Sequence, residues 1–122
     1  MEINKKILIV DDEVIMRELL VDYFDMFDYE TDIANDGMEA LEKILSGNGD
    51  ESYNLVISDI NMPKMGGTVL LKKIKEKYSK LPVIIMTGYG TEQIEDEILQ
   101  ADGFLNKPFE LDKITEMISE IQ

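Results

Sequence analysis

Polar side chains that could do chemistry stand at the ends of four short apolar runs in this sequence. Asp11 and Asp12 follow the first run, Asp59 ends the second, Thr87 the third and Lys107 the fourth. Three carboxylates crowded together would repel one another, and one would have to be protonated unless a cation joined them. An all-oxygen ligand set suits a hard divalent cation, and an open, partly hydrated site suits Mg²⁺. The residue types therefore predict a Mg²⁺ site if the fold brings these positions together.

The same residues predict a nucleophile. A metal ion, the ammonium group of Lys107 and the hydroxyl group of Thr87, placed around a free oxygen of Asp59, could stabilise a phosphoryl group. Attack by that oxygen would give an aspartyl phosphate. Each residue alone also has a structural explanation, since Asp is common in turns and Lys-Pro is common at the start of a helix. Those explanations would all have to hold at once at matching strand ends, which favours the joint site.

The elements that must position these residues alternate between strand and helix. Apolar or alternating runs predict strands at residues 6–10, 29–34, 55–57, 83–86 and 103–105. Helices are predicted at about 14–27, after Asp36, after Gly67, in an acidic stretch containing Ile94 and Ile98, and at about 110–121. This alternation implies right-handed crossovers and a parallel sheet covered on both faces. The predicted fold class is α/β, a flavodoxin-like, doubly wound, five-stranded parallel sheet with strand order 2-1-3-4-5 and five helices.

Two of the predicted helices are expected to bury apolar faces against this sheet. The predicted buried residues are Met38, Leu41, Ile44 and Leu45 in the second helix, and Val69, Leu70 and Ile74 in the third. Half of the 12 basic residues lie between positions 64 and 80. The third helix is therefore expected to carry lysines on its outer face.

Composition limits the classes of function that are possible. The chain has no cysteine, which excludes disulfides and thiolate sites, and no histidine, the commonest general base and zinc ligand. A net charge of −14 disfavours direct binding to nucleic acid or to an anionic membrane. The length fits one domain over residues 1–122. No apolar run approaches the roughly 20 residues of a membrane span, and no signal peptide precedes the first strand, so a cytoplasmic location is expected.

Four motifs coincide with the polar strand ends. They read ILIVDDE at residues 7–13, DINMPKMGG at 59–67, IIMTGYG at 84–90 and FLNKPF at 104–109. With these motifs the sequence resembles the receiver domain of two-component response regulators along nearly its whole length. The combination is highly specific, whereas Asp-Asp or Lys-Pro alone would not be.

The resemblance implies a role for each acidic residue. Asp59 would accept a phosphoryl group from a histidine kinase or a phosphotransfer protein. Asp12 and Asp59 would bind Mg²⁺ directly, and the backbone carbonyl of Asn61 would complete the protein ligands. Asp11 would act through water.

The resemblance also implies a conformational switch. Thr87 and Lys107 look like the phosphoryl-binding pair of the family, and Phe104 matches its switch aromatic. Pro108 matches the proline whose preceding peptide bond is typically cis. Two features depart from the family pattern: the segment from Thr87 to Lys107 is shorter than usual, and Phe104 has no hydroxyl group. A switch at Phe104 would therefore work by packing alone.

The predicted function is that of a stand-alone response regulator that is not itself an enzyme. The last predicted helix reaches the C-terminal residues, so no separate output domain is expected. Phosphorylation would instead change the face formed by the fourth helix, the fifth strand and the fifth helix. Output would come from binding a downstream protein whose identity the sequence does not give.

Three alternatives compete with this function. A haloacid-dehalogenase-type phosphatase would need a second Asp where Asn61 stands, and its nucleophile would follow the first strand. A flavodoxin would need a phosphate-binding loop after the first strand, where Asp11, Asp12 and Glu13 would repel phosphate. A phosphorylation-independent adaptor with the same fold stays open as the alternative, although the complete set of site residues argues against it.

Overall fold

Five parallel strands form one sheet in a computed structural model of the chain, which describes residues 6–47, 53–62, 64–88, 101–107 and 110–121. The strands are β1 (Lys6–Val10), β2 (Glu30–Ala34), β3 (Leu55–Asp59), β4 (Val83–Thr87) and β5 (Gly103–Asn106). Their order is β2-β1-β3-β4-β5, and every neighbouring pair is parallel. The α/β fold class and the predicted strand order are confirmed. The sheet places the carboxyl ends of β1, β3, β4 and β5 along one edge.

Four helices lie within the described residues. They are α1 (Val14–Asp25), α2 (Gly37–Ser46), α3 (Gly67–Lys77) and α4 (Asp112–Ile121). The predicted helix containing Ile94 and Ile98 falls in residues 89–100, which lie outside the described residues. None of the described helices is long and apolar enough to cross a membrane.

The first helix is shorter than its apolar pattern predicts. It ends at Asp25, whereas the pattern extends to Phe27. The reason is Asp28, whose φ of 63° places it in the left-handed region that ends many helices. The amide of Tyr29 then donates to the carbonyl of Phe24 at 3.1 Å and closes the helix end. Asp tolerates this backbone conformation better than most residues do.

The core is divided between the two faces of the sheet. Strand residues such as Val10, Val56 and Ile85 pack towards α2 and α3, and their neighbours Ile9, Ile57 and Ile84 pack towards α1 and α4. Strands β3 and β4 are buried along their whole length. Burial on both faces explains why these strands are continuous apolar runs in the sequence.

Three of the apolar residues predicted to be buried are substantially exposed. Met38 and Leu45 on α2 are 46% and 42% exposed, and Val69 on α3 is 46% exposed. Leu70 and Ile74 are fully buried, as predicted. The sheet covers a narrower stripe of each helix than the apolar residues occupy, because a helix packed on a flat surface contacts it along one side only.

A partly buried hydrogen-bond network connects the edge strand β2 to the rest of the domain. The hydroxyl group of Tyr53 donates to Asp32 Oδ2 at 2.7 Å, and Lys43 Nζ donates to Asp32 Oδ1 at 3.1 Å. Lys43 Nζ also donates to the carbonyl of Ile33 at 2.6 Å. Partial burial raises the pKa of Asp32, but the hydrogen bonds from Tyr53 and Lys43 outweigh it, so the pKa is lower than usual. Burial, followed by the bond to Asp32, raises the pKa of Tyr53.

Removal of the Tyr53 hydroxyl group should destabilise the domain. We expect Tyr53→Phe to lower the free energy of unfolding by about 1–2 kcal/mol at pH 7, because a hydrogen bond to a carboxylate is lost. A carboxyl group with a lowered pKa stabilises the fold above its usual pKa and loses that contribution as the pH falls through its folded pKa. The difference in the free energy of unfolding between Tyr53→Phe and the wild type should therefore be smaller at acidic pH.

Urea denaturation at pH 7 and at pH 3 would measure this difference. Tyr78→Phe is the matched control, since the hydroxyl group of Tyr78 makes no hydrogen bond to a described residue. Equal deficits for Tyr53→Phe at both pH values would contradict the assigned role of Asp32.

Candidate functional site

A hydrogen bond joins two of the predicted site residues across the sheet. Lys107, which follows β5, donates from Nζ to Oδ2 of Asp59 at 3.0 Å. Asp59 ends β3 and is 6% exposed. The backbone amide of Lys107 donates to the carbonyl of Thr87 at 2.8 Å, which extends the pairing of β5 with β4 by one residue. Strand pairing thus fixes the start of the Lys107 side chain, and the side chain reaches over β4 to Asp59.

Asp11 lies on the other side of Asp59 and is completely buried. Its amide donates to the carbonyl of Ala34 at 3.1 Å, so it continues the pairing of β1 with β2. Its Oδ1 accepts from the amide of Glu13 at 2.9 Å, whereas Oδ2 is buried and accepts no hydrogen bond from any described residue. Lys107 Nζ lies 3.6 Å from that oxygen. Burial raises the pKa of the Asp11 carboxyl group, and the hydrogen bond from Glu13 and the charge of Lys107 offset part of the rise.

Glu13 is the third acidic residue of the site. Carboxylate oxygens of Asp11, Glu13 and Asp59 all lie within 4.8 Å of one another. Lys107 Nζ is 3.6 Å from Glu13 Oε1 and thus contacts all three carboxylates. Partial burial acts to lower the pKa of Lys107, but the hydrogen bond to Asp59 and the neighbouring carboxylates raise it on balance. One ammonium group cannot neutralise three carboxylates, so the cluster retains a negative charge.

Asp12 and Asn61, the other predicted metal ligands, are both exposed. Asp12 is not part of the carboxylate cluster; the acidic side chain that joins Asp11 and Asp59 is that of Glu13. The amide of Asn61 donates to Asp59 Oδ1 at 3.4 Å, so Asn61 adjoins the site through its backbone. The ligand roles of Asp12 and of the Asn61 carbonyl stay predictions. Glu13 was not predicted as a site residue, although it is the third acid of the motif at residues 7–13.

The predicted switch residues Thr87 and Phe104 come from the neighbouring strands β4 and β5. Thr87 ends β4 and is 2% exposed, and Phe104 in β5 is partly buried against the core beneath α2 and α3. The register pairs Ile85 with Phe104, and Thr87 lies two residues beyond Ile85. Because side chains alternate along a strand, Thr87 and Phe104 share one face and are diagonal neighbours. The switching role of this pair stays a prediction, and Pro108 lies outside the described residues.

A close approach of backbones shapes the loop after β3. The amide of Gly67, the first residue of α3, donates to the carbonyl of Ile60 at 2.9 Å. A Cβ atom at position 67 would overlap the carbonyl oxygen of Asp59. Glycine is therefore required there for α3 to begin beside the end of β3. This contact holds the backbone that carries Asp59.

Comparison with known proteins identifies the family of this site. The family model for the response regulator receiver domain matches residues 7–119 of the sequence. The chain belongs to the response regulator receiver domain family. Receiver domains of this family are parts of two-component systems, and the acidic cluster of this receiver domain fits their phosphorylation and Mg²⁺ site.

Relatives match this receiver domain over most of its length, and some of them are much longer proteins. Sporulation initiation phosphotransferase F of Bacillus subtilis is 36% identical over 119 residues, which cover 96% of this chain and 93% of that protein. The CpxR homolog of Haemophilus influenzae, a transcriptional regulatory protein, is 40% identical over 107 residues, which cover 85% of this chain. Only 44% of the CpxR homolog is matched, so the receiver domain spans less than half of that relative.

Solved structures of a response regulator from Thermotoga maritima, TrrA, are similar to this receiver domain. The structure of TrrA with Mg²⁺ and beryllofluoride is 36% identical in sequence and has a TM-score of 0.87. The match covers 97% of this chain and 99% of the TrrA chain. TrrA in complex with the histidine kinase ThkA is 37% identical, has a TM-score of 0.85, and covers 96% of this chain and 97% of its own.

The donor set of the receiver domain fits a divalent cation. Every candidate ligand atom is an oxygen, and small hard cations such as Mg²⁺ prefer carboxylate and carbonyl oxygens. Asp11 Oδ2 is a buried charged oxygen that accepts no hydrogen bond from the described residues, a position that a cation would satisfy. A divalent ion would also balance the negative charge that Lys107 leaves uncompensated.

Proposed function

We propose that this receiver domain accepts a phosphoryl group on Asp59 from a histidine kinase or a phosphotransfer protein, in a reaction that depends on Mg²⁺. The observation that carries the proposal is the contact of Lys107 with Asp59 at 3.0 Å, inside a cluster of three carboxylates. An ammonium group at that distance is placed to interact with oxygen atoms of a group attached to Asp59. The similarity to TrrA, which was solved in complex with a histidine kinase, supports a kinase as the donor.

The reaction transfers a phosphoryl group between two protein side chains. A bond forms between an Asp59 carboxylate oxygen and phosphorus, the nitrogen–phosphorus bond of the donor phosphohistidine breaks, and the donor imidazole nitrogen takes up a proton. The chemistry requires little from the protein beyond positioning and charge stabilisation. Lys107 would neutralise one phosphoryl oxygen. The Thr87 hydroxyl group would donate a hydrogen bond to another phosphoryl oxygen once Thr87 has moved towards the phosphoryl group.

A bound Mg²⁺ would supply positive charge to the phosphoryl oxygens. Asp11 and Asp59 are the buried residues that would hold it, with Asp12, Glu13 and the Asn61 carbonyl as further candidate oxygen ligands. Lys107 alone cannot offset both the carboxylates and an incoming phosphoryl group, since each adds negative charge. The reaction is therefore expected to require the metal.

The proposal also covers the biological setting. The domain would act as a stand-alone regulator rather than as an enzyme, in the cytoplasm, through a downstream protein partner and without direct contact to nucleic acid or membrane. The net charge of −14 supports the absence of nucleic acid as a direct ligand. The sporulation phosphotransferase, 93% of which is matched, is a relative of similar length that sets a precedent for a stand-alone arrangement.

Phosphotransfer from a phosphorylated histidine kinase tests this function. Radiolabelled phosphate should move from the kinase to the chain in the presence of Mg²⁺, and EDTA should suppress the transfer. A phosphorylation-independent adaptor, the alternative function, would take up no label from any kinase or from acetyl phosphate while still binding its partner.

Thr87→Ala should uncouple phosphorylation from output. The variant lacks the hydroxyl group that would move towards the phosphoryl oxygens, so phosphorylation would no longer control the space next to Phe104. We expect label on Asp59 at near wild-type levels, while the affinity for a phosphorylation-dependent partner falls roughly tenfold, the effect of one hydrogen bond to a charged group. Thr31→Ala on the edge strand is the control. Binding of the phosphorylated Thr87→Ala variant with wild-type affinity would exclude Thr87 as the switch.

A further inference from the structure

A shallow groove between α2 and α3 combines apolar side chains with lysines. Its volume is about 280 Å³, and it lies on the side of the sheet away from α1. The residues that line it are Leu41, Leu45, Lys73, Glu76, Lys77 and Tyr78. We refer to this set of residues as the α2–α3 groove.

The apolar part of the α2–α3 groove continues along α2. Met38, Leu41 and Leu45 are spaced at i, i+3 and i+7 and therefore lie on one side of the helix. Leu41 and Tyr78 pack against the core and form the floor of the groove. Met38 and Leu45, at 46% and 42% exposed, extend this floor to the surface. An exposed apolar stripe of this kind, bordered by charge, is typical of a binding surface.

Four lysines on α3 and in the turn after it have no partners among the described residues, and two of them, Lys73 and Lys77, line the groove. Lys72, Lys73, Lys77 and Lys80 form no ion pair, hydrogen bond or ring contact there. The other described basic side chains all have one, which for most is an ion pair, for Lys6 a contact with the ring of Tyr53, and for Arg17 a hydrogen bond to Asp11. In a chain of net charge −14, unpaired cations are thus concentrated on α3 and the turn that follows it.

The helix dipole accounts for part of this concentration only. Basic residues stabilise the last turn of a helix, and Lys75 and Lys77 lie in the last turn of α3. Lys75 already has partners within the domain, because it donates hydrogen bonds to Asp102 and to the carbonyl of Leu81. Lys72 and Lys73 precede the last turn, so the dipole does not explain them. Carboxylates of a partner bound in the groove could pair with Lys73 and Lys77, the two unpaired lysines that line it.

We propose that the α2–α3 groove binds an acidic amphipathic helix of a partner protein. Leu41, Leu45 and Tyr78 would receive apolar side chains of that helix at i and i+4, in the manner of helix-in-groove recognition. Lys73 and Lys77 lie one turn apart and match carboxylates that are one turn apart on the partner. The apolar floor favours a peptide over nucleic acid, and the proposal does not depend on phosphorylation of Asp59.

A designed peptide tests the proposal directly. The probe is a synthetic helix of about 16 residues, roughly four turns, with leucines on one side and glutamates beside them. It is titrated into the isotope-labelled chain, and the change in each backbone amide signal is followed by NMR. Two further peptides serve as comparisons, one with lysine for every glutamate and one with alanine for every leucine. We expect shifts in residues 38–45 and 69–78 with the first peptide and much weaker binding of the other two.

Variants of the chain separate charge from apolar contact. The double substitution Lys73→Glu and Lys77→Glu should lower the affinity for the probe peptide roughly tenfold, because two attractive charge pairs with the peptide glutamates become repulsive. Leu45→Ser should weaken it several-fold with little effect on the fold, since Leu45 is 42% exposed. Lys113→Glu, an exposed lysine on α4, is the matched control and should leave the affinity unchanged.

Four results of the peptide titrations would overturn the proposal. They are an absence of binding at millimolar peptide, shifts confined to other surfaces, equal affinity for the glutamate and lysine peptides, and equal affinity of the Lys73→Glu, Lys77→Glu variant and the wild type. A short DNA duplex is added as a separate titration. Binding of the duplex at these lysines with no response to the peptide would assign the basic surface to nucleic acid and would also overturn it.

Discussion

Asp59→Asn should reduce phosphate incorporation to the background level. Acetyl phosphate or a phosphorylated histidine kinase should label the wild type in the presence of Mg²⁺ and leave the variant unlabelled. The physical reason is that an amide oxygen lacks the negative charge that makes the carboxylate a nucleophile. The substitution also removes the ion pair with Lys107 at 3.0 Å, which orients the Asp59 side chain. Both losses act on the same step.

Asp36→Asn is the matched control for this experiment. Asp36 is also a buried aspartate close to a strand end, but its Oδ1 accepts from the amide of Glu39 at 2.9 Å and caps α2. Asparagine caps a helix about as well as aspartate does, so the fold should be retained. Full labelling is expected for Asp36→Asn. Undiminished labelling of Asp59→Asn, with the phosphate mapped to another residue, would refute the proposed nucleophile.

The fold and the centre of the site were predictable because both rest on local patterns. Strands buried on both faces are continuous apolar runs, and a polar residue that ends such a run marks the sheet edge where ligands bind. Asp59 and Lys107 were placed at that edge from their positions alone, and they form a hydrogen bond. Strand order followed from the alternation of strands and helices, which restricts the topologies that parallel sheets adopt.

The choice among consecutive acidic residues was not predictable from local patterns. Asp11 continues the alternation of β1 inward, Asp12 is exposed, and Glu13 is brought back to the cluster as the chain turns into α1. That turn is fixed by the hydrogen bond from the Glu13 amide to Asp11 Oδ1 and by Arg17, which donates to the Asp11 carbonyl at 2.8 Å. Spacing in the sequence carries no information on either bond.

Contacts between segments that are distant along the chain could also not be predicted from the sequence. The bond from Tyr53 to Asp32 joins residues 21 positions apart, and neither side chain belongs to a motif. The exposure of Met38 and Leu45 depends on how α2 packs against the sheet, which periodicity does not determine. Helical periodicity shows which side of a helix is apolar, whereas packing decides how much of that side is covered.

Asp11→Asn should have opposite effects on the domain with and without metal. Without Mg²⁺, the variant should have a free energy of unfolding about 1 kcal/mol higher than that of the wild type at pH 7, because a neutral amide is less costly to bury than the carboxylate of Asp11. The neutral amide also removes one of the three carboxylates that repel one another. With Mg²⁺ at a hundredfold excess over Kd, the wild type should gain about 2.7 kcal/mol by mass action, and the variant should gain little.

Urea denaturation with and without Mg²⁺ measures both effects on the same two proteins. Asp28→Asn is the control, since Asp28 is exposed and asparagine also tolerates its positive φ. The control should respond to Mg²⁺ as the wild type does. The two effects of Asp11→Asn have one cause, a buried carboxylate charge that Lys107 compensates only in part, so they should appear together. A wild type whose stability ignores millimolar Mg²⁺ would show that the cluster of Asp11, Glu13 and Asp59 is not a metal site. A variant that gains as much from Mg²⁺ as the wild type would instead remove Asp11 from the ligand set and leave the other two carboxylates to hold the ion.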